Sequence, residues 1–256
     1  MLKSVWIFCA ASLILIGCGT GYNATSGGNS GGGGANYAGQ AQGVYSGTSS
    51  SGYHFSTIVL PSDKFYAIYG TVSGNALLLS GLVTGQGTSG NGTYTASVTD
   101  YTNTGAIDSG SISATYVAAT SLNGTLTENG TAITVNATWE PASSFNYNTS
   151  ASVSAITGTW TGTLLDGMTT TVTVNSNGSV SGASSGCSFS GTVAADSSNK
   201  NFFDVSLTFG ASPCSQPNQT ATGIAVVYLL PDGVTHDLLA AVTAGTSFGT
   251  VFAAVR

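Results

Sequence analysis

At 256 residues, with only 5% charged, 36 glycines and a formal net charge of −6, the chain departs from ordinary globular composition, in which about a quarter of residues are charged. Its only basic Lys and Arg side chains are Lys3, Lys64, Lys200 and Arg256. That scarcity excludes nucleic-acid binding and a polybasic lipid-binding patch, both of which rest on cations facing phosphate.

Lys3 precedes an apolar run from Val5 to Ile16, the layout of an export signal. The run is about 12 residues, too short for a bilayer core that needs roughly 20. It ends Leu15-Ile16-Gly17-Cys18, which resembles the lipobox of bacterial lipoproteins. The resemblance implies that residues 1–17 are a signal peptide and that the chain is cleaved before Cys18. It also implies a diacylglycerol thioether on the Cys18 sulfur. This lipid is the one covalent group expected, and no other cofactor is. A second acyl group on the new amine would make the anchor stable. Gly19, where inner-membrane lipoproteins carry Asp, implies the outer membrane by the same resemblance.

Residues 18–42 are rich in Gly, Ser and Asn, include Gly31-Gly32-Gly33-Gly34 and carry no charge. Such a segment buries too little apolar area to offset its ordering entropy, so a disordered tether is expected. About 24 residues of it reach roughly 25–30 Å. With Cys9 in the signal and Cys18 lipidated, Cys187 and Cys214 remain as an even pair in an oxidising compartment, where they are expected to form a disulfide.

Beyond the tether the chain reads as short strands between glycine-rich turns, without apolar residues at helical spacing. In Ile156–Leu164 one face carries Thr157, Thr159, Thr161 and Thr163; the other carries Ile156, Gly158, Trp160, Gly162 and Leu164 and is expected to point inward. Asn91-Gly92, Asn123-Gly124, Asn129-Gly130, Asp166-Gly167, Asn177-Gly178 and Asp232-Gly233 suit tight hairpins. About eight strands are expected in residues 43–140 and about eight in 155–256, joined by a linker at 141–154. The fold class is all-β: two tandem antiparallel eight-stranded barrels, or flattened sandwiches, since open sheets rarely exceed ~10 strands. The non-core face is Thr, Ser and Asn, which argues against a membrane-spanning pore.

Gly158-Thr159-Trp160 on a first strand, with Arg256 ending the last, resembles the barrel-closing signature of lipocalins and avidins. It implies a guanidinium laid over the indole. The first unit opens similarly, Gly43-Val44-Tyr45, but has Tyr45 and no terminal Arg. The second unit, with Gly186-Cys187-Ser188-Phe189-Ser190-Gly191-Thr192 and Ala221-Thr222-Gly223-Ile224-Ala225, is similar to uncharacterised lipoproteins of Proteobacteria, a resemblance that implies location and no chemistry.

Catalytic patterns fail on context. Gly182-Ala183-Ser184-Ser185-Gly186 matches a nucleophile elbow, but a strand and not a helix is expected after it. Gly85-Gln86-Gly87-Thr88-Ser89-Gly90 fits a phosphate-binding glycine pattern but is read as a turn before a strand. His236 and Asp237 are adjacent on a strand and point to opposite faces. No metal site is expected from two histidines, and Asp100 and Asp108 are read as solvated loop acids rather than Ca²⁺ ligands. Tyrosines concentrate in the first unit, and Tyr53, His54, Phe55, Phe65 and Tyr66, on neighbouring strands of one hairpin, form the candidate binding surface. The sequence therefore points to a lipid-anchored, outer-membrane, non-catalytic binding or adhesion module for a protein or glycan ligand. A periplasmic small-barrel protease inhibitor or an envelope scaffold is the alternative.

Overall fold

The computed structural model describes residues 39–73, 76–230 and 232–256. The signal peptide, Cys18 and the tether through residue 38 lie outside the described residues. Thr, Val and aromatic residues in alternation make nearly all of the rest extended. In chain order the first unit contains β1 (Gly43–Ser49), β2 (His54–Val59), β3 (Lys64–Ser73), β4 (Ala76–Gly90), β5 (Thr93–Thr102), β6 (Ile107–Val117), β7 (Ser121–Glu128) and β8 (Thr131–Trp139). The second contains α1 (Val153–Ile156), β9 (Gly158–Leu164), β10 (Thr169–Val174), β11 (Ser179–Ser184), β12 (Cys187–Ala195), β13 (Phe203–Phe209), β14 (Thr220–Leu229), β15 (His236–Ala244) and β16 (Phe248–Val255). Each set of eight strands closes into an antiparallel up-and-down barrel, as the strand count predicts, with β8 returning to β1 and β16 to β9.

The hairpin at Asn91-Gly92 has both φ values positive, 50° and 78°, and Asn129-Gly130 repeats it at 48° and 78°. Asn123-Gly124 is not a turn. It lies inside β7, where the Asn123 Oδ1 accepts the Ala137 N–H at 3.0 Å. The chain turns instead between Val117 and Ser121, with Ala119 at φ 52°. Gly85–Gly90 is likewise strand, the second half of the 15-residue β4, and its glycines serve packing: a Cβ on Gly87 would sit 2.2 Å from the Tyr94 hydroxyl.

Both barrels close by the same device. In the second, fully buried Trp160 donates its Nε1–H to the Ile156 carbonyl at 2.7 Å. The Arg256 guanidinium lies 4.1 Å from the indole centroid and donates to the Thr157 carbonyl at 2.9 Å, as the lipocalin-like signature implied. Gly158, at φ 124°, is required there because a Cβ would fall 2.1 Å from Arg256 Nη1. In the first barrel, Tyr45 is fully buried and donates to the Ala41 carbonyl at 3.0 Å, again four residues back. Here Trp139 of β8 covers Gly43, whose added Cβ would lie 1.9 Å from the ring, and meets Tyr45 edge-on at 5.4 Å. An indole thus stands in the first barrel where a guanidinium stands in the second.

The outer faces are not uniformly polar. Ile58, Tyr66, Ile68 and Leu82 of the first barrel pack with Ile224, Val226, Leu239, Ala241 and Val251 of the second in one core between the barrels. Phe145 and Tyr147 of the linker are buried in the same cluster, so residues 141–154 bind the two units together. This arrangement explains why β15 and β16 are apolar on both faces: one faces the barrel interior, the other the neighbouring barrel.

Candidate functional site

The two ends of the first barrel differ. At one end the β2–β3 corner places Asp63 at φ 63° and 2% exposure. Its Oδ1 accepts the Gly39 N–H at 3.0 Å and the Ser89 hydroxyl at 2.6 Å, while Oδ2 accepts the Ser89 N–H at 3.0 Å. The Tyr94 hydroxyl donates to the Asp63 carbonyl at 2.7 Å, and Tyr116 to Gln40 Oε1 at 2.9 Å. Ala41 is fully buried beneath this network. Residues 39–42, read from the sequence as the end of the tether, are therefore a plug that seals this end.

The opposite end is open. A cavity of about 200 Å³ enters the barrel between the β1–β2, β5–β6 and β7–β8 hairpins. Phe55, Val59, Phe65, Ala67, Val83, Ile112, Leu122 and Leu126 form its apolar wall. Tyr53 and Tyr69, packed edge-on with centroids 5.2 Å apart, also line it, as do Asp100 and Glu128. The second barrel is packed by Trp160, Phe203, Leu238 and Phe252, while Phe189, Phe209 and Phe248 meet edge-on in succession, with centroids 6.2 and 5.5 Å apart. The Cys187–Cys214 disulfide expected from the sequence is formed and ties the start of β12 to the β13–β14 loop. Tyr101, near the open end of the first barrel, donates to the Gly245 carbonyl of the β15–β16 turn at 3.3 Å, so the two barrels stand side by side in the same direction.

The carboxylates give the cavity its chemistry. Alternation along β5 points Tyr94, Ala96, Val98 and Asp100 inward; on β7 it points Leu122, Leu126 and Glu128 inward. Asp100 is 5% exposed, accepts the Tyr69 hydroxyl at 2.7 Å through Oδ2, and has no partner for Oδ1. Glu128 Oε1 is also buried and unpartnered. Asp108 stands directly across from Asp100 on β6 and is held by Asn129 Nδ2 at 2.8 Å. Burial raises the Asp100 pKa to about 6, the Tyr69 hydrogen bond opposing and Asp108 adding to the shift. Burial, then the neighbouring Asp100 and Asp108, raises Glu128 to about 7. Burial and the bond to Asp100 push the Tyr69 phenol well above its ordinary value.

No basic side chain lines this cavity. Lys64 lies over the Tyr66 ring at 5.0 Å, Lys200 over Tyr147 at 5.3 Å, and Arg256 over Trp160. Among the described residues no group of three or more His, Cys, Asp and Glu is arranged to hold a metal ion.

The sequence-derived surface residues do lie on one hairpin, with Val59 opposite Phe65 and Ile58 opposite Tyr66, but they face three ways. Tyr53, Phe55 and Phe65 line the cavity; Tyr66 is buried between the barrels; His54 is exposed. Asp100 and Asp108 are not solvated loop acids but paired strand residues. Ser184 of the elbow-like stretch ends β11 before a Ser185-Gly186 hairpin turn, with its hydroxyl on the Thr169 carbonyl at 3.3 Å. Asp100 and Glu128 carried a legible signal: each is an acid in an inward register otherwise held by apolar residues.

No protein-family model and no curated protein matches the sequence. Among solved structures the chain is similar to the isotype 1 transferrin binding protein B of serogroup B Neisseria meningitidis, at 9% identity and a TM-score of 0.26. That match covers 80% of this chain and spans 58% of the other. A similarity at that level carries no argument about function.

Proposed function

We propose that the protein is a cell-envelope lipoprotein, anchored through Cys18 in the outer membrane, whose two barrels form a non-catalytic binding module. The ligand site is the cavity of the first barrel. The observation that carries this reading is the contrast within one barrel: a hydrogen-bonded plug at one end and an apolar, open cavity at the other. The described chain begins at the plugged end, opposite the mouth. Asp100 and Glu128 converge as an acid–base pair would, but the wall around them is apolar and supplies no cation to hold a developing anion. That composition favours holding a ligand over transforming one.

A cavity of about 200 Å³ is of the scale that admits a benzene-sized molecule. The full chain in detergent is expected to bind 2-phenylethanol saturably, read by tyrosine fluorescence or calorimetry, and Ala67→Phe is expected to abolish that binding by filling the cavity. Absence of binding by the folded wild-type chain, to this alcohol and to its amine and carboxylate counterparts alike, defeats the assignment. The anchor is tested separately: Cys18→Ser is expected to move the protein from the membrane fraction to the soluble one with both barrels folded.

A further inference from the structure

We infer that the ligand of this cavity is a small hydrophobic amine, bound as its ammonium ion, with its apolar body against Phe55, Ile112 and Leu126 and its charged head between Asp100, Glu128 and the Tyr53–Tyr69 pair. The inference rests on the cavity being the ligand site and adds the chemical class of what enters it.

Three features converge on a cation. Asp100 is 95% buried by its 5% exposure, yet its Oδ1 lacks a partner, and Glu128 Oε1 is buried and unpartnered beside the same space. A buried acceptor left unpaired is costly, and the deficit is removed by a ligand that brings donors. An ammonium head brings up to three N–H donors and a positive charge, and charge-assisted hydrogen bonds to carboxylate are about twice as strong as neutral ones. Next, the chain has only three cations among its described residues, and each is committed to an aromatic ring elsewhere. Among the described residues, therefore, no cation meets the cavity's negative charge. Finally, Tyr53 and Tyr69 present an aromatic pair beside these acids, and ring faces attract ammonium.

The groups facing the two carboxyls are Tyr69 from β3, Tyr53 from the β1–β2 turn and Asp108 from β6, besides each other. None of these side chains can carry a positive charge. A small anion is therefore repelled, and a neutral molecule leaves the charge unmet. The volume restricts the body to about one ring with a short chain.

The test uses the full chain and three probes of one shape: 2-phenylethylamine, 2-phenylethanol and 3-phenylpropanoate. At pH 8 the amine is expected to bind at least about tenfold more tightly than the alcohol, a difference of ~1.4 kcal/mol, and the acid not at all. The amine's preference over the alcohol should shrink as the pH is lowered from 8 to 5, because the carboxyls protonate while the amine stays charged. Asp100→Asn with Glu128→Gln should reduce the preference to about onefold. If the double variant does not fold, Glu128→Gln alone and the wild-type pH series each still decide the matter. Equal or tighter binding of the alcohol at pH 8 overturns the amine inference but leaves the cavity as a ligand site. Binding of none of the three overturns both.

Discussion

Asp237 lies 2% exposed on the face of β15 that turns to the neighbouring barrel, in register with Leu239 and Ala241, and its Oδ1 has no partner. Tyr228 stands across from it on β14. Burial raises its pKa from the ordinary 3.8 to about 8. The folded chain therefore holds a proton at pH values where the unfolded chain has released it. Between these two values unfolding releases that proton, so stability falls as pH rises, and the loss is complete above pH 8. At 1.36 kcal/mol per pH unit, the interval from pH 5 to pH 7 is worth at most ~3 kcal/mol, or up to roughly 6–12 °C in Tm for a chain of this size. Asp237→Asn keeps the shape and removes the titration. Urea unfolding at pH 5 and pH 7 should show the variant gaining on the wild type as pH rises. Asp100 and Glu128 titrate in the same direction in both proteins and cancel from the comparison. If the stability difference between the two proteins is the same at both pH values, the burial argument for Asp237 is wrong.

Two further outcomes test the architecture. Gly158→Ala should destabilise the chain more than Arg256→Ala, because it adds strain at φ 124° to displacement of the guanidinium, whereas Arg256→Ala costs about 1–2 kcal/mol of cation–π and hydrogen-bond energy; denaturation midpoints give the ranking. Phe145→Ala with Tyr147→Ala should remove part of the core between the barrels at a cost of about 3–5 kcal/mol per ring, and split a single unfolding transition into two by calorimetry.

Much of the fold was legible because one period governs it. The alternation at Ile156–Leu164 puts Trp160 inside and the threonines outside, as the structure has it. What escaped was whatever depends on pairing across distance. Asn123-Gly124 looks like a turn by local chemistry, but the strand partners of β7 keep it extended, so pairing overrode propensity. Trp139 is the counterpart of Arg256 by its position over a glycine and not by charge, a likeness that residue type alone hides. The hairpin of Tyr53–Tyr66 was recognised, but a barrel sends successive residues to opposite sides of its wall, and three destinations replaced one surface. Asp100, expected as a solvated loop acid, and Glu128, which local spacing does not single out, stand out only once the inward face of each strand is assigned, because each breaks an apolar register.

The two barrels share a frame but fill it differently. Tyr45 and Trp160 occupy the same place, each hydrogen-bonded four residues back, and each first strand starts with a glycine covered by the last strand. Starting from that shared frame, the second barrel fills its interior with Trp160, Phe203 and Phe252. The first barrel hydrogen-bonds Tyr94 and Tyr116 into the plug at the sealed end, and rings its open end with Tyr53, Tyr69, Asp100 and Glu128 around the cavity. A hollow barrel loses packing energy that a filled one keeps. Here the loss is offset next door: the filled barrel offers β14, β15 and β16 as an apolar wall against β2, β3 and β4. The second barrel thus braces the β2–β4 side of the cavity wall, while β6 and β8 turn exposed residues outward on the other side.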